Sequence, residues 1–261
     1  MFQTSVLASG SKGNAILVRS SEAAVLLDAG VSAKSIFNAL DNLRVSRSEI
    51  KAIIISHEHS DHTRGVGAVS RQLKIPIYAN LDTFERCAER IGRLAEPVRF
   101  FETGDSFSIG DLLIHPFASS HDAADSCNFT FRIKNEGERK LGVATDLGYP
   151  SALSVKQLSH CTTLVLESNH DEQMLMNGPY DWALKQRIKS IKGHLSNVQA
   201  VGVVSQVLHH GLENLVLAHL SETNNKPDLA WETMSSYLQS IRSEIRLIVA
   251  DQYQHTPLLN V

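Results

Sequence analysis

Cysteine is scarce in this sequence: Cys87, Cys127 and Cys161 are widely spaced, odd in number and form no CxxC pair. Such a set excludes a disulfide scaffold and a thiolate metal cluster, and fits a reducing compartment. Aromatic residues make up only 6% of the 261 residues and form no stripe on which single-stranded bases would stack. The formal net charge is −3, which argues against a broad basic surface while leaving room for a local basic groove. No run approaches the ~18 apolar residues of a membrane span. The segment Met1-Phe2-Gln3-Thr4-Ser5 has neither the basic start nor the apolar core of a secretion signal. A cytoplasmic protein that does not enter membranes is the expectation. Hydrophobic residues make up 43% and charged residues 20%, the balance of a globular chain, and the length suffices for a large core.

Strand-like apolar runs and helix-like segments alternate without any low-complexity linker. Strands are expected at residues 2–8, 15–20, 23–27, 52–56, 112–117, 129–135, 139–145, 163–167 and 214–218, among others. Helices are expected at 33–41, 63–73, 82–91, 180–191, 197–209 and 228–243. The second half repeats the order of the first. Two facing sheets with helices outside both accommodate this better than one parallel sheet. No domain boundary is visible, so residues 1–261 read as a single domain.

The chemistry is concentrated in His57-Glu58-His59-Ser60-Asp61-His62, directly behind the apolar run Ala52-Ile53-Ile54-Ile55-Ser56. A β-branched run of that kind is a buried strand, which places the histidines in the loop at its C-terminal end. Imidazole and carboxylate donors suit zinc, manganese or iron better than calcium. Alternate spacing points His57 and His59 towards one ion, while Asp61 and His62, where the chain turns into a helix, face a second. Three further donors each end an apolar strand: His121, Asp146 and His219. A lone histidine at a strand end is more often a satisfied core residue than a ligand. Together with the motif, the three complete a set of seven that coincidence explains poorly.

Residues outside this set bear on the reaction. The turn Ser9-Gly10-Ser11-Lys12-Gly13-Asn14 offers backbone N–H groups and a lysine to a phosphate oxygen. Ser9, Ser11, Lys12 and Asn14 are therefore candidate phosphate contacts, against the plainer role of a hairpin turn. Glu167 ends a buried strand, with Asn169 in the polar cluster beyond it as a candidate substrate contact. His194 precedes a helix N-terminus at which Ser196 is either a substrate contact or an N-cap. Glu167 and His194 read as a carboxylate–imidazole pair in which His194 can protonate a departing alkoxide, against the plainer role of His194 as a helix cap. The sugar oxygen of a phosphodiester needs that acid; a β-lactam or thioester needs it less. Arg132 and Lys134, on one face of a strand, are candidate nucleic-acid contacts.

The ordered set His57, His59, Asp61, His62, His121, Asp146, His219 resembles the metallo-β-lactamase-fold hydrolases across essentially the whole chain. The resemblance implies an α/β fold, a four-layer αββα sandwich of two mixed sheets with outer helices. It implies one ion on His57, His59 and His121, another on Asp61, His62 and His219, and Asp146 bridging. Asp28, in Leu26-Leu27-Asp28-Ala29-Gly30, would support the ligands from behind. The nucleophile would be a hydroxide held between ions ~3.5–4 Å apart and oriented by Asp61.

More narrowly, the stretches SGSKGN, LLDAG, SHEHSDH, Ser120-His121-Asp122, ATDLG, LESNHD, GHLSN and AHLSETNN are similar to those of the YycJ (WalJ) family of small exonucleases. That family lacks the β-CASP insertion of ribonuclease J-type enzymes, and no segment of that size interrupts this chain. The resemblance implies manganese-supported 5′-to-3′ degradation of DNA, with DNA favoured over RNA. Zinc would bind the same donors more tightly, so the isolated protein can carry zinc, iron or nickel. The alternative is a small-molecule hydrolase of the same fold (a cyclic phosphodiesterase, thioesterase or lactonase). The sequence leaves a homo-oligomer open.

Overall fold

The computed structural model describes residues 1–261. Its first sheet is built from β1 (Gln3–Ala8), β2 (Ala15–Arg19), β3 (Ala24–Leu27), β4 (Ile50–Ile54), β5 (Ile77–Ala79) and β6 (Arg99–Phe100). β1 to β3 form an antiparallel meander, and β4, β5 and β6 then add in parallel. The helices that return the chain are α1 (Ala33–Asn42), α2 (Ser60–Thr63), α3 (Val66–Leu73) and α4 (Leu81–Ile91). The second sheet repeats the plan. β7 (Phe107–Ile109), β8 (Leu112–Ala118), β9 (Cys127–Ile133) and β10 (Glu136–Ala144) form a meander, followed by parallel β11 (Thr163–Glu167), β12 (Asn214–Ala218) and β13 (Arg246–Val249). Its helices are α5 (Ala152–Leu158), α6 (Glu172–Asn177), α7 (Trp182–Lys189), α8 (Asn197–Val207) and α9 (Pro227–Ser240). The two-residue β14 (Leu259–Asn260) returns to pair with β1, so each sheet has seven strands.

Alternation along the strands explains the layers. In β4 and just beyond, Ala52 and Ile54 face the core between the sheets, whereas Ile53 and Ile55 join the core beneath α1, α3 and α4. Phe129, Phe131, Val143 and Val165 supply the same inter-sheet core from the other side, and a third core lies under α5, α8 and α9. Four layers result, as a two-sided strand pattern requires. The architecture is the αββα sandwich of the metallo-β-lactamase fold.

Some expected elements shift. The helix expected at 63–73 is interrupted at Gly65, because that glycine's N–H donates to Ala29 O (2.7 Å) and a Cβ there would stand 2.0 Å from Val31 O. Several strand ends shift by one to three residues, while β11 and β12 fall where expected, and the short β6, β14 and α6 had no sequence expectation behind them. For the site, the important consequence is directional. The C-terminal ends of β1, β3 and β4 lie at one edge of the first sheet, and those of β8, β10, β11 and β12 at one edge of the second.

Candidate metal centre

Three strand ends aim their side chains through an unusual backbone turn. Asp28 after β3, Asp146 after β10 and His219 after β12 have φ of 62°, 54° and 57°. Left-handed backbone costs a non-glycine residue on the order of 1 kcal/mol or more. It bends the chain abruptly off the sheet, so each side chain turns back over the strand ends. The motif loop after β4 lies against the same place. Gly30 makes room for it, since a Cβ there would stand 1.5 Å from Asp61 O.

The seven expected donors converge. His57 Nε2 is 3.1 Å from His59 Nδ1, which is 3.3 Å from His121 Nε2. Asp61 Oδ2 lies 3.3 Å from His62 Nε2 and 3.5 Å from His219 Nε2. Asp146 stands between the groups: Oδ2 is 3.2 Å from His62 Nε2, and Oδ1 is 3.5 Å from His219 Nε2 and 3.8 Å from His121 Nε2. Donors ~2.1 Å from one ion at tetrahedral angles would be about 3.4 Å apart, so these spacings suit cations. The buried Asp146 Oδ2 makes no hydrogen bond, a costly state unless a cation meets it. The donor set fits divalent metal.

The charges agree. Burial, with His62 nearby, pushes His57 well below the usual imidazole value, leaving it neutral as a ligand must be. Burial also opposes charge on His219, but Asp146, Asp61 and Glu167 outweigh it and raise its pKa to about 10. Asp146, despite burial, is held well below the carboxylate range by His219 and His62. His57 is thus ready for a cation, whereas His219 and His62, raised by the carboxylates beside them, release a proton when one binds.

Hydrogen bonds behind the donors fix which nitrogen faces the centre. His57 Nδ1 donates to Ser56 Oγ (3.0 Å), which donates to Asp28 Oδ2 (2.8 Å). His62 Nδ1 donates to the same Asp28 oxygen (2.8 Å), and His121 Nδ1 to Gly193 O (3.2 Å). Each ring therefore presents Nε2. Asp28 thus sits behind both His57 and His62.

Glu167 reaches further than the expected pair. Its fully buried carboxylate accepts from His194 Nδ1 (2.8 Å) and His219 Nδ1 (2.9 Å). It also accepts from the backbone N–H groups of Asp146, Leu147 and Leu195. Burial works against ionising it, but His194 and His219 hold its pKa down at about 2. His194 is left with Nε2 free, and its ring stands 5.1 Å from that of His121 and 5.2 Å from that of His219.

A cavity of about 220 Å³ opens on the centre, lined beside the ligands and His194 by Ser11, Asn169 and Ser221, and on one side by Tyr180, Leu184 and Arg187. The remaining phosphate candidates separate. Asn14 faces the ligands, with Nδ2 3.3 Å from Asp61 Oδ2. Ser9 Oγ instead accepts from His219 N (2.6 Å), and Lys12 turns away to Glu222 (2.6 Å) and Tyr253 (2.9 Å), lining a neighbouring cavity. Ser196 takes the N-cap of α8 and donates to Glu172, off the cavity. Arg132 and Lys134 lie at the opposite end of the second sheet, bonded to Gly137 O and Gly110 O.

Two contributors escaped the sequence reading. Glu58, inside the motif, accepts from Ala124 N (3.0 Å) and so ties the histidine loop to the His121 loop. Arg90 of α4 donates to Glu58 O (2.6 Å) and Thr63 Oγ1 (3.0 Å). Nothing in the spacing of Arg90 announces this. Arg90→Ala is expected to lower metal affinity ~10–100-fold, as loss of outer support for ligands does, which titration of metal-stripped protein would measure. Unchanged affinity would make the clamp ornamental.

Residues 23–220 match the model of the β-lactamase superfamily domain, and the chain belongs to that superfamily. Within it, the chain belongs to the YycJ (WalJ) family. It is 37% identical over 236 residues to exodeoxyribonuclease YycJ of Bacillus anthracis, covering 90% of this chain and 88% of the relative. It is 35% identical over 240 residues to exodeoxyribonuclease WalJ of Streptococcus pneumoniae D39, covering 91% and 88%. Among solved structures, the metallo-β-lactamase-fold protein YhfI from Bacillus subtilis superposes with a TM-score of 0.74 at 16% identity, over 98% of this chain and 99% of that one. No helix is long and apolar enough to cross a membrane.

Proposed function

We propose that this chain is a metal-dependent exodeoxyribonuclease that degrades DNA from the 5′ end, working as one catalytic domain over residues 1–261 without a β-CASP insertion. The observation that carries it is His194, fixed by Glu167 at Nδ1 and open at Nε2 beside seven convergent metal donors. The activities named for the relatives at 35–37% identity supply the choice of DNA.

His57, His59 and His121 would hold one ion and Asp61, His62 and His219 the other, with Asp146 between. Manganese or zinc suits these nitrogen and oxygen donors. Bound there, divalent ions supply an acidified water and positive charge against the attacked phosphate. Asp61 Oδ2 would accept a hydrogen bond from the attacking water and so orient it, the water's proton passing to solvent. His194 Nε2 gives a proton to the departing 3′-oxygen as the P–O bond breaks, so the released nucleotide leaves with a neutral hydroxyl. Glu167 keeps that imidazole in place and favours its charged form; burial opposes the charge on His194, and Glu167 overcomes it.

The test is digestion of 5′- and 3′-labelled single- and double-stranded DNA, with RNA alongside, by protein stripped and reloaded with manganese or zinc. Asp61→Ala serves as the blank. Progressive metal-dependent shortening from the 5′ end, absent in the blank, is expected. Turnover of small esters or cyclic phosphodiesters with every nucleic acid left intact would place the protein among the small-molecule hydrolases instead.

A further inference from the structure

Helix α7 buries none of its residues, yet it forms one wall of the metal cavity. Residues 182–192, Trp-Ala-Leu-Lys-Gln-Arg-Ile-Lys-Ser-Ile-Lys, carry four cations and no anion in a chain whose net charge is −3. The helix is tied down locally. Asp181 caps it, and Lys185 Nζ donates to Met176 O (2.9 Å) and Gly178 O (2.8 Å). Arg187 is anchored differently. Its Nε donates to Asp122 Oδ2 (2.5 Å), while Asp122 Oδ1 stands 3.5 Å from His121 Nε2. One carboxylate therefore separates this guanidinium from a metal-facing nitrogen. Its two terminal amino groups make no hydrogen bond to protein, and the side chain is 61% exposed. On the same face of the helix, Leu184 and Ile188 lie one turn apart and line the cavity with Tyr180. Metal ligation has no use for an apolar and aromatic wall.

We infer that α7 is the clamp for the substrate strand: Arg187 takes the phosphate next to the scissile one, and Tyr180, Leu184 and Ile188 hold the terminal nucleoside. The assignment rests on the nuclease reading above. Asp122 pre-sets the Arg187 fork, so little side-chain freedom is lost on binding phosphate. A cavity of about 220 Å³ bounded by this wall admits the end of a strand more readily than a duplex. That geometry accounts for attack at a terminus without any sequence reading.

The experiment compares two substrates for metal-loaded wild type, Arg187→Ala, Arg187→Lys and Tyr180→Ala. Oligothymidylate has the neighbouring phosphate; thymidine 5′-(p-nitrophenyl phosphate) has one diester only, with its p-nitrophenyl ring in the departing terminal nucleoside's place. Arg187→Ala should raise KM for the oligonucleotide about tenfold and flatten its salt dependence by about 0.7 in the log–log slope, the share of one phosphate contact on a single strand. Its loss on the nucleoside ester should be several-fold smaller, with Arg187→Lys intermediate on the oligonucleotide. Tyr180→Ala should raise KM on both. Equal losses for Arg187→Ala on the two substrates, or an unaltered salt slope, would overturn the clamp while the nuclease reading stands. If wild type cleaves the nucleoside ester but no DNA, the nuclease reading fails and the clamp with it.

Discussion

Replacing His194 with alanine is expected to cut turnover of DNA ~10²–10⁴-fold while the metal content stays that of the wild type, as loss of a general acid predicts. The separation of the two readouts follows from the geometry. His194 Nδ1 is taken by Glu167 and stands 3.9 Å from Asp146 Oδ1. The seven donors are all present without it. The loss should also depend on the leaving group. A sugar alkoxide needs a proton as it departs, whereas p-nitrophenolate does not, so the nucleoside ester should lose far less than DNA. Elemental analysis of the variant and rates on both substrates check the argument. An equal loss on the two would make His194 a positioning residue rather than an acid.

Glu167→Ala is expected to destabilise the protein by about 3–5 kcal/mol, because it strips a buried carboxylate from the charged imidazoles it serves. Five donors lose their acceptor at once: two imidazoles and three backbone N–H groups. Glu167→Gln should fall between, since the amide can still accept on one oxygen but turns N–H towards the N–H of Leu147 and Leu195. Denaturant unfolding of metal-stripped wild type and both variants would measure the order. A loss below about 1 kcal/mol for the alanine variant would mean that water restores these contacts.

The layered fold and the convergence of the donors were legible for different reasons. β4 is a β-branched run, buried on both sides, and its period sets the chain direction into the histidine loop. His121, Asp146 and His219 were legible because each closes an apolar run whose end can only emerge at an edge. What stayed hidden depends on residues distant in sequence. Lys12 looked free for phosphate because nothing local reveals Glu222 and Tyr253, which claim it. The reach of Glu167 was only half visible: His194 lies 27 residues on, but the three N–H groups come from turns whose course no pattern encodes. β6 and β14, two residues each, are too short to carry any period. Arg187 lay inside an expected helix, but its place beside Asp122 depends on how that helix folds over the second sheet.

The donors are divided between the sheets. His57, His59, Asp61 and His62 come from the first, and His121, Asp146 and His219 from the second. A nascent chain that has not yet passed His219 holds only part of the set, and neither sheet can assemble a pair of sites alone. Destructive activity therefore appears only once both sheets have closed on each other.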